Sequence, residues 1–149
     1  MSKFKVAVTV AQFNNSITEL LLEGALETLH ASLLADCINV VWVPGAVEIP
    51  FAAQQLARTG RYAGIVALGA VIYGETDHYH YVCDQVNQGC QRVMLDESIP
   101  IGFGVLTTKT VAHAKARAGG DKGNAGSEAA TAVLKMIHLK SAIASDSLL

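Results

Sequence analysis

Four short apolar runs rich in β-branched residues, at 4–10, 37–43, 62–70 and 99–107, are separated by longer stretches in which apolar residues recur at helical spacing. The runs are nearly continuous rather than alternating, as in parallel strands covered by helices on both faces. Strand and helix alternating in this way predict a three-layer α/β domain around a four-stranded parallel sheet. Ser16, with Glu19 three residues on, reads as a capping box opening a first helix that carries Leu22, Ala25, Leu26, Leu29 and Leu33 on one side. A shorter helix begins near Pro50 and stops around Thr59 and Gly60. From Asp77 a third helix carries Tyr79, Val82, Cys83, Val86, Cys90, Val93 and Met94. Thr108 is expected to cap a fourth, ending at Gly119-Gly120, and Ser127 a fifth with Ala130, Val133, Leu134 and Ile137 on its apolar side. The Gly-rich segment 119–126 is too short for a linker, and 149 residues suit one domain, taken as 1–149.

Charged residues make up only 16% of the chain and apolar ones 51%, so part of the apolar surplus is expected in contacts between copies, a homo-oligomer. A net charge of −2 with scattered basic residues gives no footprint for nucleic acid or an anionic membrane. No apolar run approaches the ~18 residues of a membrane span. Residues 1–5 carry no apolar signal segment, which predicts a cytoplasmic protein. Cys37, Cys83 and Cys90 have no zinc or CxxC spacing; their odd number suits a reducing compartment, and all three read as small buried hydrophobes. A small molecule, or another copy of the chain, is the expected partner.

Ligands of open parallel sheets bind beyond the carboxyl ends of the strands. Polar or Gly-rich clusters follow all four: Gln12-Phe13-Asn14-Asn15, Pro44-Gly45-Ala46-Val47-Glu48-Ile49-Pro50, Gly69-Ala70-Val71-Ile72-Tyr73-Gly74-Glu75-Thr76-Asp77-His78, and Thr107-Thr108. The third leads into a helix, whose free N–H groups and dipole suit an anion such as phosphate. It is not a Walker loop, because Glu75-Thr76 stands where Lys-Ser/Thr is needed. His78 and His80 lie two apart on a helix and face nearly opposite ways, which argues against a metal site. In the first helical turn the dipole disfavours the imidazolium of His78, leaving a neutral base for proton transfer beside the anion loop. Phe13 is a platform for a planar heterocycle or a hydrophobic staple for the first helix. Phe103 reads as core from its strand position. Arg117 is a phosphate ligand or merely a partner for a helix C-terminus.

In their order and spacing these clusters resemble the 6,7-dimethyl-8-ribityllumazine synthase family over about residues 4–139, most specifically at Phe13-Asn14, 44–50, 71–78, 103–108 and 117–119. The resemblance implies a flavodoxin-like sheet of strand order 2-1-3-4. It also implies condensation of 5-amino-6-(D-ribitylamino)uracil with 3,4-dihydroxy-2-butanone 4-phosphate to the lumazine, phosphate and water, with no metal or organic cofactor. By the same resemblance Phe13 stacks on the pyrimidine, with Asn14 beside it. Ala46, Val47 and Glu48 hold the ribityl chain, and Val71 and Ile72 bind the pyrimidine edge through their backbone. Glu75, Thr76 and Arg117 grip the phosphate, and His78 moves protons. The site lies between subunits of a pentamer, with Phe103 and Arg117 supplied by the neighbour.

Two positions depart from the pattern: Tyr73 stands where the family commonly has Arg, and Ala125 where many members have Lys, with Lys122 a partial substitute. The N-terminal extra strand of some members is also missing, and Asp121 and Ala125 alter a segment that keeps the length found in shell-forming members. Pentamers or decamers are therefore expected over a sixty-subunit shell. Two other readings are a non-catalytic flavin or lumazine carrier and a flavodoxin-like FMN protein. Retention of His78 and Arg117 speaks against the first, and the lack of a hydroxyl-rich phosphate loop after the first strand against the second.

Overall fold

Parallel strands cannot be joined by a tight turn, and each strand here reaches the next through a helical crossover. The computed structural model describes residues 3–148; Met1, Ser2 and Leu149, at the ends of the expected 1–149 domain, lie outside the described residues. The elements run β1 (Val6–Ala11), α1 (Asn15–His30), β2 (Ile38–Val43), α2 (Ile49–Arg58), β3 (Gly64–Ile72), α3 (His78–Asp96), β4 (Ile101–Thr108) and α4 (Val111–Ala116). A small hairpin, β5 (Ala118–Gly120) and β6 (Gly123–Asn124), precedes α5 (Ala125–Ala144). As the sequence predicts, the main sheet is parallel, in the order β2-β1-β3-β4, with helices on both faces.

Side chains of a strand alternate between faces, and both faces of β1 and β3 are covered. Val6, Val8 and Val10, with Val66 and Leu68, pack against Leu21 and Leu29 of α1 and Val133 of α5. Ala11, Ala67 and Val71 meet Ile49 of α2 with Val86 and Cys90 of α3. The outer strands differ from the expected double cover. β2 and β4 are sheet edges, and Val40, Trp42 and Phe103 remain exposed on them. Phe103 is 43% exposed, so its strand position does not make it core. Cys37 and Cys90 are buried, but Cys83 is only half-buried.

Strand bounds shift because the ladder, not the apolar run, sets them. β3 extends to Ile72, which still pairs with Thr108. β4 begins after Pro100, which has no N–H to donate. The helix caps also move. No capping box forms at Ser16; Asn14 occupies the N-cap of α1 in the left-handed region at φ 61°, and its carbonyl accepts from the N–H groups of Ile17 and Thr18. Thr110, not Thr108, caps α4 by accepting from His113 N at 3.0 Å; Thr108 closes β4 and donates its hydroxyl to the Thr110 carbonyl. Asn124, not Ser127, caps α5, while the Ser127 hydroxyl pairs with Thr28 at 2.6 Å. Gly119-Gly120 does not end a helix but turns into the hairpin, with Gly119 at φ 105°.

Gly126, in the first turn of α5, lies directly against the Leu21 carbonyl of α1, and any Cβ there would overlap it. Gly126→Ala should force the helices apart and cost about 1–3 kcal/mol. Chemical denaturation checks this; an unchanged midpoint would contradict the close packing.

Candidate active site

The crossover from β1 leads to β2 on one side, and that from β3 leads to β4 on the other. The loops leaving two adjacent central strands therefore part, and a cleft of about 380 Å³ opens between them, within the size range of small-ligand sites.

Backbone bonds lace the loops of β1 and β2 together beyond the sheet: Gln12 N donates to Val43 O at 2.8 Å and Phe13 N to Pro44 O at 3.0 Å. The Asn14 side chain ties the same loop to β3, its Nδ2 donating to Ala70 O at 2.8 Å. Phe13 is thereby fixed at its backbone while its ring stands 72% exposed over the cleft. It does not staple α1, since Thr18 at the matching position is already buried beneath the sheet edge with its hydroxyl on Ala11 O. The second wall is the short 3₁₀ turn Ala46–Glu48, closed by Glu48 N donating to Gly45 O at 3.2 Å. Val71 and Ile72, at the end of β3, complete the floor.

Past β3 the segment 73–78 is exposed and opens α3. Thr76 Oγ1 accepts from His78 N at 3.2 Å. Asp77 sits at the N-cap without a side-chain capping bond; its carbonyl accepts from His80 N and Tyr81 N. The Tyr79 N–H has no protein partner among the described residues, so the first turn retains a free donor at the positive end of its dipole. Thr76 and His78 both line the cleft beside it. His80, which does not line the cleft, packs its ring against Tyr73 and Tyr79.

The cleft thus gathers Phe13, Asn14, Ala46, Val47 and Glu48, together with Val71, Ile72, Thr76 and His78. Glu75, Phe103 and Arg117 do not line it. Phe103 borders a separate hollow beside α3 with Asn87 and Gln91. Arg117, exposed at the end of α4, donates from Nη1 to His113 O at 3.0 Å, the contact of a helix C-terminal partner.

Tyr79 and Val82 also line the cleft, although the sequence assigns them to the core-facing row of α3. That row is continuous, but its first turn overhangs the end of the sheet, so Val86, Cys90 and Val93 below are buried while Tyr79 and Val82 face the ligand space. Burial pushes the Tyr79 phenol and the Cys83 thiol above their ordinary values, and the Cys90 thiol up to about 12.

Comparison with known proteins adds an independent finding. A family model described as 6,7-dimethyl-8-ribityllumazine synthase matches residues 3–141. A Coxiella burnetii protein of that name (strain Dugway 5J108-111) is 55% identical over 139 residues, covering 93% of this chain and 92% of its own. A protein of the same name from Pediococcus pentosaceus is 46% identical over 143 residues, 95% of this chain and 92% of its own.

The bond from Asn14 to Ala70 predicts the behaviour of one near-isosteric variant. Asn14→Asp offers an acceptor to an acceptor and should lose roughly 1–3 kcal/mol at pH 7. Its carboxyl titration would be raised by the facing carbonyl, so the deficit relative to wild type should shrink as pH falls and protonation restores a donor. Paired denaturation curves at pH 7 and pH 4 check this; a deficit that is absent, or constant with pH, would contradict it.

Proposed function

The chain belongs to the 6,7-dimethyl-8-ribityllumazine synthase family, and we propose that the cleft between β1 and β3 is one half of its active site, completed by a second copy. The protein is an enzyme, a transferase of riboflavin biosynthesis. It condenses 5-amino-6-(D-ribitylamino)uracil with 3,4-dihydroxy-2-butanone 4-phosphate to 6,7-dimethyl-8-ribityllumazine, phosphate and water. A non-catalytic carrier is not favoured.

What carries the site assignment is the convergence of an exposed aromatic ring, two strand-end backbones and a histidine at a helix N-terminus on one cleft of small-molecule size. Phe13 stacks on the pyrimidine with Asn14 fixing its loop, and Val71 and Ile72 offer backbone groups to the pyrimidine edge. The turn Ala46–Glu48 takes the ribityl chain, with the Glu48 carboxylate as acceptor for its hydroxyls. Phosphate sits at the start of α3, with Thr76 and the adjoining Glu75 segment beside the free Tyr79 N–H. The primary amine attacks the ketone and a first water leaves to give an imine; loss of the adjacent C–H proton expels phosphate and leaves an enol that tautomerises to a ketone, and the ribityl-bearing amine attacks that carbonyl, with loss of a second water as the ring closes. Each step moves a proton, and His78 is the group placed to accept and return it. The partners are otherwise activated, so positioning supplies much of the remaining acceleration.

Phe103 and Arg117 enter as the contribution of a neighbouring copy, Phe103 against the bound ring and Arg117 as a bidentate phosphate ligand. Exposed apolar side chains on both edges of the sheet, Val40 and Trp42 on one and Phe103 on the other, support such contacts. The assembly is a pentamer, or a decamer of two, of a single domain over 1–149. Among the described residues Cys37, Cys83 and Cys90 are free thiols and no helix is long and apolar enough to cross a membrane; the reading is a cytoplasmic enzyme.

His78→Ala should lower turnover by roughly 10²–10⁴-fold, and unchanged turnover would refute the proton-transfer role. Light scattering at micromolar concentration should give the mass of five or ten chains; sixty would refute the size, and a fully active monomer the shared site.

A further inference from the structure

Asp77 at the N-cap of α3 makes no side-chain capping bond, and the one side-chain oxygen on the first turn is the Thr76 hydroxyl, accepting from His78 N at 3.2 Å. The segment before it is exposed, and Gly74 has open space around it. A bond from within that exposed segment does not tie the turn to the sheet, and a proton-transfer group is useful only when its position is held within about half an ångström. Tyr73 is well placed to hold the turn. Its backbone is anchored to the sheet, with its N–H donating to Thr108 O at 2.9 Å. Its ring stands edge-on to Tyr79 at 5.4 Å between centroids and to His80 at 6.1 Å, and those two rings meet each other at 5.2 Å. The interplanar angles of 72°, 64° and 76° are those of edge-to-face packing. Tyr79 and His80 are the two residues that follow His78, and Tyr79 shares the cleft wall with it.

We propose that Tyr73 is a positioning residue: a three-ring clamp of Tyr73, Tyr79 and His80 fastens the exposed first turn of α3 to the end of β3 and so fixes His78 over the cleft. The sequence shows Tyr73 only as a missing cation, whereas its ring supplies a restraint between this turn and the sheet that the Thr76 hydroxyl, within the loop itself, does not. This inference rests on His78 as the proton-transfer group. Tyr73 is 44% exposed, so shortening it opens no core cavity and the fold survives the test.

Steady-state kinetics of Tyr73→Leu, Tyr73→Phe and each combined with His78→Ala decide the matter. Tyr73→Leu should lower kcat roughly tenfold through misplacement of the catalytic group, with the KM for the pyrimidine unchanged. Tyr73→Phe keeps the ring and should retain more than about half of kcat. On the His78→Ala background, Tyr73→Leu should cost nothing further, because the residue it positions is gone. Wild-type kcat in Tyr73→Leu, an equal loss in Tyr73→Phe, or a full additional loss on the His78→Ala background would each overturn the clamp while leaving the role of His78 intact. Full turnover in His78→Ala would instead bring down the proton-transfer reading, and the clamp with it.

Discussion

Burial of both faces of β1 and β3 is the constraint from which the rest of the molecule follows. Strands covered above and below can present nothing to a ligand except their ends, and the parallel arrangement puts all carboxyl ends on one side. Because β1 and β3 are neighbours whose crossovers diverge, a gap in the cover opens between them. The loops there are held by continuation of the ladder through Phe13 N to Pro44 O and by the Asn14 side chain donating to Ala70 O, so an exposed ring stands on a rigid base. The cleft is thus placed by the same hydrogen-bonded register that forms the core.

The same constraint leaves the flanks of the sheet only partly covered. A four-stranded sheet has two edges, and here β2 and β4 carry exposed Val40, Trp42 and Phe103 rather than the charges or prolines that usually blunt an edge. Surfaces that differ on the two sides of a protomer pair head to tail, and such contacts close into a ring where the rotation between copies closes. In the ring we propose, the cleft of one copy faces the β4 side of the next, and Phe103 and Arg117, both outside the cleft of their own chain, take their place in catalysis there.

Much of this was legible in the chain because strand and helix periodicities are set by burial. The four apolar runs, the stripe of Val86, Cys90 and Val93 on α3, and the loops after each strand all lie where the pattern puts them. What the pattern missed are local competitions among hydroxyl and amide side chains. Ser16, Thr108 and Ser127 each have a plausible capping sequence, but Asn14, Thr110 and Asn124 hold those places. Phe103 shows a different limit: its strand is apolar throughout, and nothing in one chain's sequence says that a strand is an edge. Tyr79 and Val82 belong to a row that is core at one end and cleft at the other, a distinction made only by where the sheet stops.

The shared site is tested most directly by mixing His78→Ala and Arg117→Ala chains, each impaired at subsaturating butanone phosphate, after co-expression or reassembly. If the cleft of one copy uses the arginine of the next, a random one-to-one mixture contains intact sites at about a quarter of its positions and regains about a quarter of wild-type activity. A mixture no more active than the average of its two parents would contradict a site built from two copies.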